Sequence, residues 1–287
     1  MTGGSADAMM PRRAPLLALR AGEGDARFTA GVPEPLCVGP PGRQFLFGGI
    51  ALAAAIEAME RRTGLPAIFA SLQFIAQTRP GDRLRFDVVL AADGRSVRQC
   101  GVTGWCGEAL FVQGHGACGR RDAAVLHQGV VRPAVAPPAA CPERSVARLL
   151  SSNLNALLEF RLAEGEFPDR AGWTGPGDAE LSCWIRPRDG APLDRRRLAV
   201  IADCAALALP GALGRPASGS SLDNMIRFTA APAGTWVLAR MRVEGIGDGV
   251  AHVATHLFAE DGALLAVAGQ SMLLRTGGAG AGASTPG

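Results

Sequence analysis

The sequence predicts an α+β protein made of two similar halves, each an antiparallel sheet wrapped around one central helix. Three observations predict it: two strongly apolar helical runs, four strand candidates after each of them, and one Ala- and Pro-rich stretch that parts the chain near its middle. At 287 residues the chain is long enough for one large domain or two small ones, and either can bury a core without staples.

The helical runs are Gly48 to Met59 (GGIALAAAIEAM) and Leu198 to Leu209 (LAVIADCAALAL). Both are apolar around nearly their whole circumference, so each is expected at the centre of a fold and not on its surface. Strand candidates follow the first run at Ala70 to Gln77, Leu84 to Ala91, Ser96 to Trp105 and Ala109 to Cys118. After the second run they are Ser221 to Phe228, Trp236 to Val243, Val250 to Ala259 and Leu264 to Leu274. Ala92-Asp93-Gly94 and Glu260-Asp261-Gly262 are hairpin signals between such runs.

The halves also share short matches in the same order, which suggests an internal repeat. Ser71-Leu72-Gln73 answers Ser221-Leu222-Asp223, and Glu108-Ala109-Leu110 answers Gly262-Ala263-Leu264. The organisation expected is a disordered start over 1–14, a first repeat over 15–121, a linker over 122–150, a second repeat over 151–275 and a disordered tail over 276–287.

Composition excludes several function classes. All 29 basic residues are Arg, and against 26 acids they leave a net charge of only +3, which argues against a nucleic-acid surface. The seven cysteines are odd in number and contain no CxxC pair, so neither a zinc ribbon nor a redox dithiol is expected, and a reducing, cytoplasmic setting fits them. Arg20 cuts short the apolar run that begins at Ala14, no segment reaches membrane-spanning length, and no membrane partner is expected. No Gly-x-Ser-x-Gly frame surrounds Ser218-Gly219-Ser220, and no phosphate-binding loop is present. Asp248 and His252 lack a partner cluster, and His115, His127, His252 and His256 read as surface or packing residues.

Asp203 stands out, being the only charged side chain between Arg197 and Arg215 and lying within an apolar helix. A buried carboxylate is costly unless it is paired or hydrogen-bonded. It is either a core residue satisfied by its neighbours or a desolvated base whose raised pKa suits it to take a proton from water. Gly48 and Gly49 open the first central helix, where unpaired N–H groups could receive an oxyanion or where small residues could simply allow close packing.

The whole pattern resembles the double hotdog fold of the acyl-CoA thioesterase II family. The resemblance rests on GEGDARFTAGV, Phe47-Gly48-Gly49, Ala202-Asp203, Ser221-Leu222-Asp223, Asp261-Gly262 with Leu265-Ala266, and Gln270, over about residues 16–275. It implies a lipid-metabolism hydrolase that cleaves acyl-CoA to a free acid and CoA, with a water held by Asp203, Ser221 and Gln270 and with no metal, cofactor or covalent intermediate. Ser221 stands where the family has Thr, which keeps the hydroxyl and loses the methyl that restricts its rotation. Asp223 follows the same pattern as a supporting residue, placed by alternation on the face of Ser221.

The positions in the first half equivalent to Asp203, Ser221 and Gln270 fall near Ala53, at Ser71 and near Gly116, so one site per chain is expected. Hotdog sheets usually find a partner, and a homo-oligomer is expected. Two other functions compete. One is an enoyl-thioester hydratase or dehydratase, which would want a His beside the Asp; the other is a non-catalytic acyl-thioester-binding protein.

Overall fold

The computed structural model describes residues 16–120, 125–147, 152–168, 172 and 175–276. The expected disorder over 1–14 and 277–287 lies outside these residues; Thr276, placed in the tail by sequence, closes the last strand instead.

Both halves build one continuous antiparallel sheet of 14 strands around two central helices, the double hotdog expected. Five main strands of the first half run in the spatial order Arg27–Gly31, Arg83–Asp93, Val97–Cys106, Ala109–Gly119 and Ala67–Phe74. The second half repeats that order in reverse from the join: Asp223–Phe228, Leu264–Thr276, Val250–Ala259, Val237–Gly247 and Glu180–Pro187. Sequence reading missed Arg27–Gly31 before the first helix and both Glu180–Pro187 and Leu158–Glu164 before the second; Leu158–Glu164 pairs outside Glu180–Pro187. Two-residue strands, Arg20–Ala21 and Glu143–Arg144, blunt the two outer edges.

The halves meet where Ala67–Phe74 pairs antiparallel with Asp223–Phe228, and Gln73 lies directly opposite Asp223. These two residues occupy the same position in the repeated Ser-Leu-Gln and Ser-Leu-Asp runs. The ladders set the symmetry differently: Gln73 pairs with Gln113 as Arg227 pairs with Val267, so the pseudo-twofold axis passes two residues away, between the cross-strand partners Ser71 and Met225.

The first central helix, Gly48–Thr63, is buried along most of its length and stops at Gly64, whose φ of 69° is the left-handed conformation that glycine adopts most easily. The second begins earlier than expected, at Arg195, because the Asp194 side chain caps it by accepting the Arg197 N–H at 2.8 Å. It is also not one helix. An α-helix over Arg195–Ala202 tightens to a 3-10 turn over Asp203–Ala208 and restarts at Leu209, where Pro210 suits a first helical turn.

The candidate strand Ser221 to Phe228 is likewise two strands, Ala217–Ser221 and Asp223–Phe228, broken at Leu222. The Leu222 backbone still pairs on both sides, donating to the Ser271 carbonyl at 2.8 Å and accepting from the Phe74 N–H at 2.9 Å.

The connecting segment lies against the outer face of the second half's sheet over residues 125–147. The Trp184 indole donates to the Ala136 carbonyl at 2.8 Å, and Gln128 bonds both the Gly262 carbonyl and the Leu264 N–H. Val130, Val135 and Cys141 join Trp184, Leu238 and Phe258 in a small second core there. A segment without helical or strand period can still be ordered when it covers apolar surface. All seven cysteines are free thiols. Among the described residues no helix is long and apolar enough to cross a membrane.

Candidate active site

The two central helices cross closely because glycine leaves room. A Cβ on Gly49 would fall 2.8 Å from both the Asp203 Cβ and the Val200 Cα, and one on Gly48 would fall 2.9 Å from Asp203 Oδ2. The start of the first helix thus sits against the point where the second tightens to a 3-10 turn.

Asp203 is buried there, and three donors converge on its carboxylate. Oδ2 accepts the Gly49 backbone N–H at 2.6 Å, while Oδ1 accepts the side-chain amides of Gln270 at 2.6 Å and Asn224 at 2.9 Å. Gln270 also donates from the same nitrogen to the Ser221 hydroxyl oxygen at 2.6 Å. Burial pushes the Asp203 carboxyl up from its usual 3.8 to about 6, against the hydrogen bonds from Asn224, Gly49 and Gln270 that favour the ion. Solvation loss outweighs three hydrogen bonds.

The carboxylate and Ser221 line a cavity of about 130 Å³. Phe45, Phe47 and Phe74 from the first half supply much of its apolar wall, and Ala206 and Gly219 come from the second. The cavity therefore belongs to neither half alone.

Five of the six residues singled out by sequence meet here: Asp203, Ser221, Gln270, Gly48 and Gly49. Asp223 does not. The break at Leu222 interrupts the alternation that would have put Asp223 beside Ser221, so its carboxylate turns outward to accept the Ser271 N–H at 2.7 Å. By that bond it braces the backbone next to Gln270. Gly49 also differs from its expected part, because its N–H is held by Asp203 and is not open to a ligand. The Ile50 N–H goes to the Phe47 carbonyl at 3.0 Å, and Gly48 lines the cavity.

Asn224 was missed by sequence reading, although a signal exists. In the run DNMIRF the inward positions are Asn224 and Ile226, both fully buried, and a polar residue on an inward strand position asks for a partner.

Comparison with known proteins gives the chain relatives over most of its length. Residues 39–119 match the model of an acyl-CoA thioesterase N-terminal domain, and residues 135–274 match that of an acyl-CoA thioesterase C-terminal domain. No curated protein sequence matches the chain. Among solved structures, a candidate thioesterase from Novosphingobium aromaticivorans shares 33% identity over 90% of this chain and 99% of its own, with a TM-score of 0.80. A protein of unknown function with a hot dog fold from Alicyclobacillus acidocaldarius shares 22% identity over 91% and 96%, at a TM-score of 0.79. An acyl-CoA thioesterase II from Mycobacterium marinum shares 19% over 91% and 96%, at 0.69. These last two likenesses speak for the fold.

Proposed function

The chain belongs to the acyl-CoA thioesterase family, and from that premise we propose that it hydrolyses an acyl-CoA by direct attack of a water held by Asp203, Ser221 and Gln270. Thioester hydrolysis is the activity of the family; the assignment of the water to these three residues is our reading. The observation that carries it is the hydrogen-bonded set Ser221 to Gln270 to Asp203, whose two ends, Ser221 and Asp203, open on a cavity with Phe45, Phe47 and Phe74 in its wall.

The chemistry follows from which atoms are already engaged. Both amide hydrogens of Gln270 are directed at protein acceptors, whereas its Oε1 is buried with no protein partner and can accept from a water. The Ser221 oxygen accepts from Gln270, so its own hydrogen is available to orient that water. As the water oxygen bonds to the thioester carbon, its proton passes to the Asp203 carboxylate, and the C–S bond then breaks. The proton returns to the departing sulfur, giving a free acid and CoA. Gly48, the residue of the first helical turn that lines the cavity, supplies the backbone N–H for the oxyanion.

A dehydratase reading would need a histidine beside the acid. Among the described residues none of the histidines lines this cavity, and His252 is engaged with Ser271 on the outer face. The test is thiol release over a panel of acyl-CoA chain lengths. Asp203→Asn should lower turnover by about 10²- to 10⁴-fold with little change in substrate binding. Ser221→Ala and Gln270→Ala should each cost less, and together less than the product of the two. Wild-type turnover retained in folded Asp203→Asn would overturn the mechanism.

We also propose that the chain self-associates through the outer face of its first half. The connecting segment covers the second half's face, whereas Val89 on the first remains 67% exposed. A monomer by light scattering at micromolar concentration would overturn this.

A further inference from the structure

Asn224 carries a second assignment. It lies on the strand that joins the two halves and is fully buried, as is its cross-strand partner Leu72. Leu72 is apolar, as such a position ordinarily demands. Asn224 is not, and it is only half satisfied: its Nδ2 donates to Asp203 Oδ1 at 2.9 Å, while its Oδ1 is buried without a protein partner. A side chain kept at the expense of an unpaired carbonyl is serving the one bond it makes.

That bond decides how the carboxylate is presented. Oδ1 receives Asn224 and Gln270, which fills both of its lone-pair directions, whereas Oδ2 receives only the Gly49 N–H. Oδ2 also lies at Gly48, a residue of the cavity wall. We propose that Asn224 is a positioning residue: with Gln270 it saturates Oδ1 and so leaves Oδ2 as the oxygen that takes the proton from the attacking water. This rests on the reading of Asp203 as the base.

Asn224 thereby also sets the pH at which the base is available. Its donated hydrogen bond favours the ionised carboxylate, against burial that favours the neutral acid. The other groups facing Asp203 are uncharged. The first helix presents the Gly49 N–H, the strand Leu264–Thr276 presents Gln270, and the adjoining Cys204 is a buried thiol whose own pKa is raised. No charged side chain among the described residues is hydrogen-bonded to Asp203, so removing the Asn224 donor should act on the Asp203 titration directly.

The experiment compares the wild-type protein with Asn224→Leu, which matches the size and removes the donor, and with Asn224→Asp, which keeps the shape and sets a second carboxyl beside the first. Two readouts are taken: the pH profile of thiol release, and the carboxyl-carbon NMR titration of Asp203, assigned by its loss in Asp203→Asn. In Asn224→Leu the acid limb of kcat/KM and the NMR midpoint should both move up by about one pH unit, with activity falling roughly tenfold at about pH 5, only about twofold near pH 7, and recovering at higher pH. KM should change little. In Asn224→Asp the two carboxyls share a proton, and the midpoint should move up further.

An Asp203 midpoint unchanged in either variant overturns the proposal, and if Asn224→Leu does not fold, Asn224→Asp decides alone. The NMR titration needs no turnover. A wild-type protein that releases no thiol would therefore refute the hydrolytic reading, and with it the proton-taking part assigned to Oδ2, independently of whether the midpoint moves.

Discussion

The backbone N–H of Gly49 donates to Asp203 Oδ2 at 2.6 Å, so a carboxylate from one half of the chain is held by the helix start of the other. Both glycines at that start are under constraint, for different reasons. Gly49→Ala drives a methyl into the Asp203 Cβ and the Val200 backbone, and overpacking of this kind costs about 1–3 kcal/mol. Gly48→Ala meets Oδ2 and the edge of the Phe74 ring, which can move aside. Thermal melts should show a clear loss for Gly49→Ala and a smaller one for Gly48→Ala, while thiol release should fall tenfold or more in both. An active Gly48→Ala would contradict the placement of Oδ2 at the reacting centre.

The pH dependence has a definite sign. Below about pH 6 the Asp203 carboxyl is protonated and cannot accept a proton, so kcat/KM should fall on the acid side with a midpoint near that value. The same group affects stability in the opposite direction. Its folded pKa is raised, so its contribution is most favourable below the unfolded pKa and is lost as pH rises through about 6. The amide introduced by Asp203→Asn does not titrate. The stability difference should therefore move in the variant's favour by on the order of 3 kcal/mol between about pH 4 and pH 7, as chemical denaturation at several pH values would show. A difference independent of pH would mean that Asp203 titrates normally.

The cavity is small, about 130 Å³, and walled by the rings of Phe45, Phe47 and Phe74. Short acyl groups should therefore be turned over faster than long ones. Phe74, half-buried in the wall beside Gly48, is the ring whose removal extends the space with least damage to the core. Phe74→Ala should shift the optimum of kcat/KM toward longer chains. A wild-type optimum at long chains would show that the wall yields to substrate.

Trp184 fastens the connecting segment through its indole bond to Ala136. Trp184→Phe keeps most of the apolar contact and removes the donor, which should cost about 1 kcal/mol. Limited proteolysis should then cut within 125–142 sooner than in the wild type, with activity little changed. Unaltered cleavage would assign the segment's order to its apolar contacts alone.

Much of this was legible in the sequence. Two helices without a polar face can only be central, and an acid in one of them had to be either paired or reactive. Asp203 is paired by three donors and still has a raised pKa. The rest depended on tertiary geometry. Alternation along DNMIRF points Asn224 inward, but that Ser221 and Asn224 serve the same site follows from the break at Leu222, which alternation does not reveal. The engagement of the Gly49 N–H depends on how closely two helices from distant parts of the chain approach. Residues 125–147 have no period because they follow the surface they cover, and that surface includes Trp184 on a strand sequence reading had missed.

The pairing of Ser71 with Met225 on the pseudo-twofold axis has one more implication. Two identical subunits must set the same side chain on both sides of their axis, and any improvement to one site would be imposed on its twin. Covalent fusion lifts that obligation. A hydroxyl can face a thioether at the centre, and a glycine in one half can serve a carboxylate in the other. The chain has the architecture of a symmetric pair and the chemical freedom of two unlike partners.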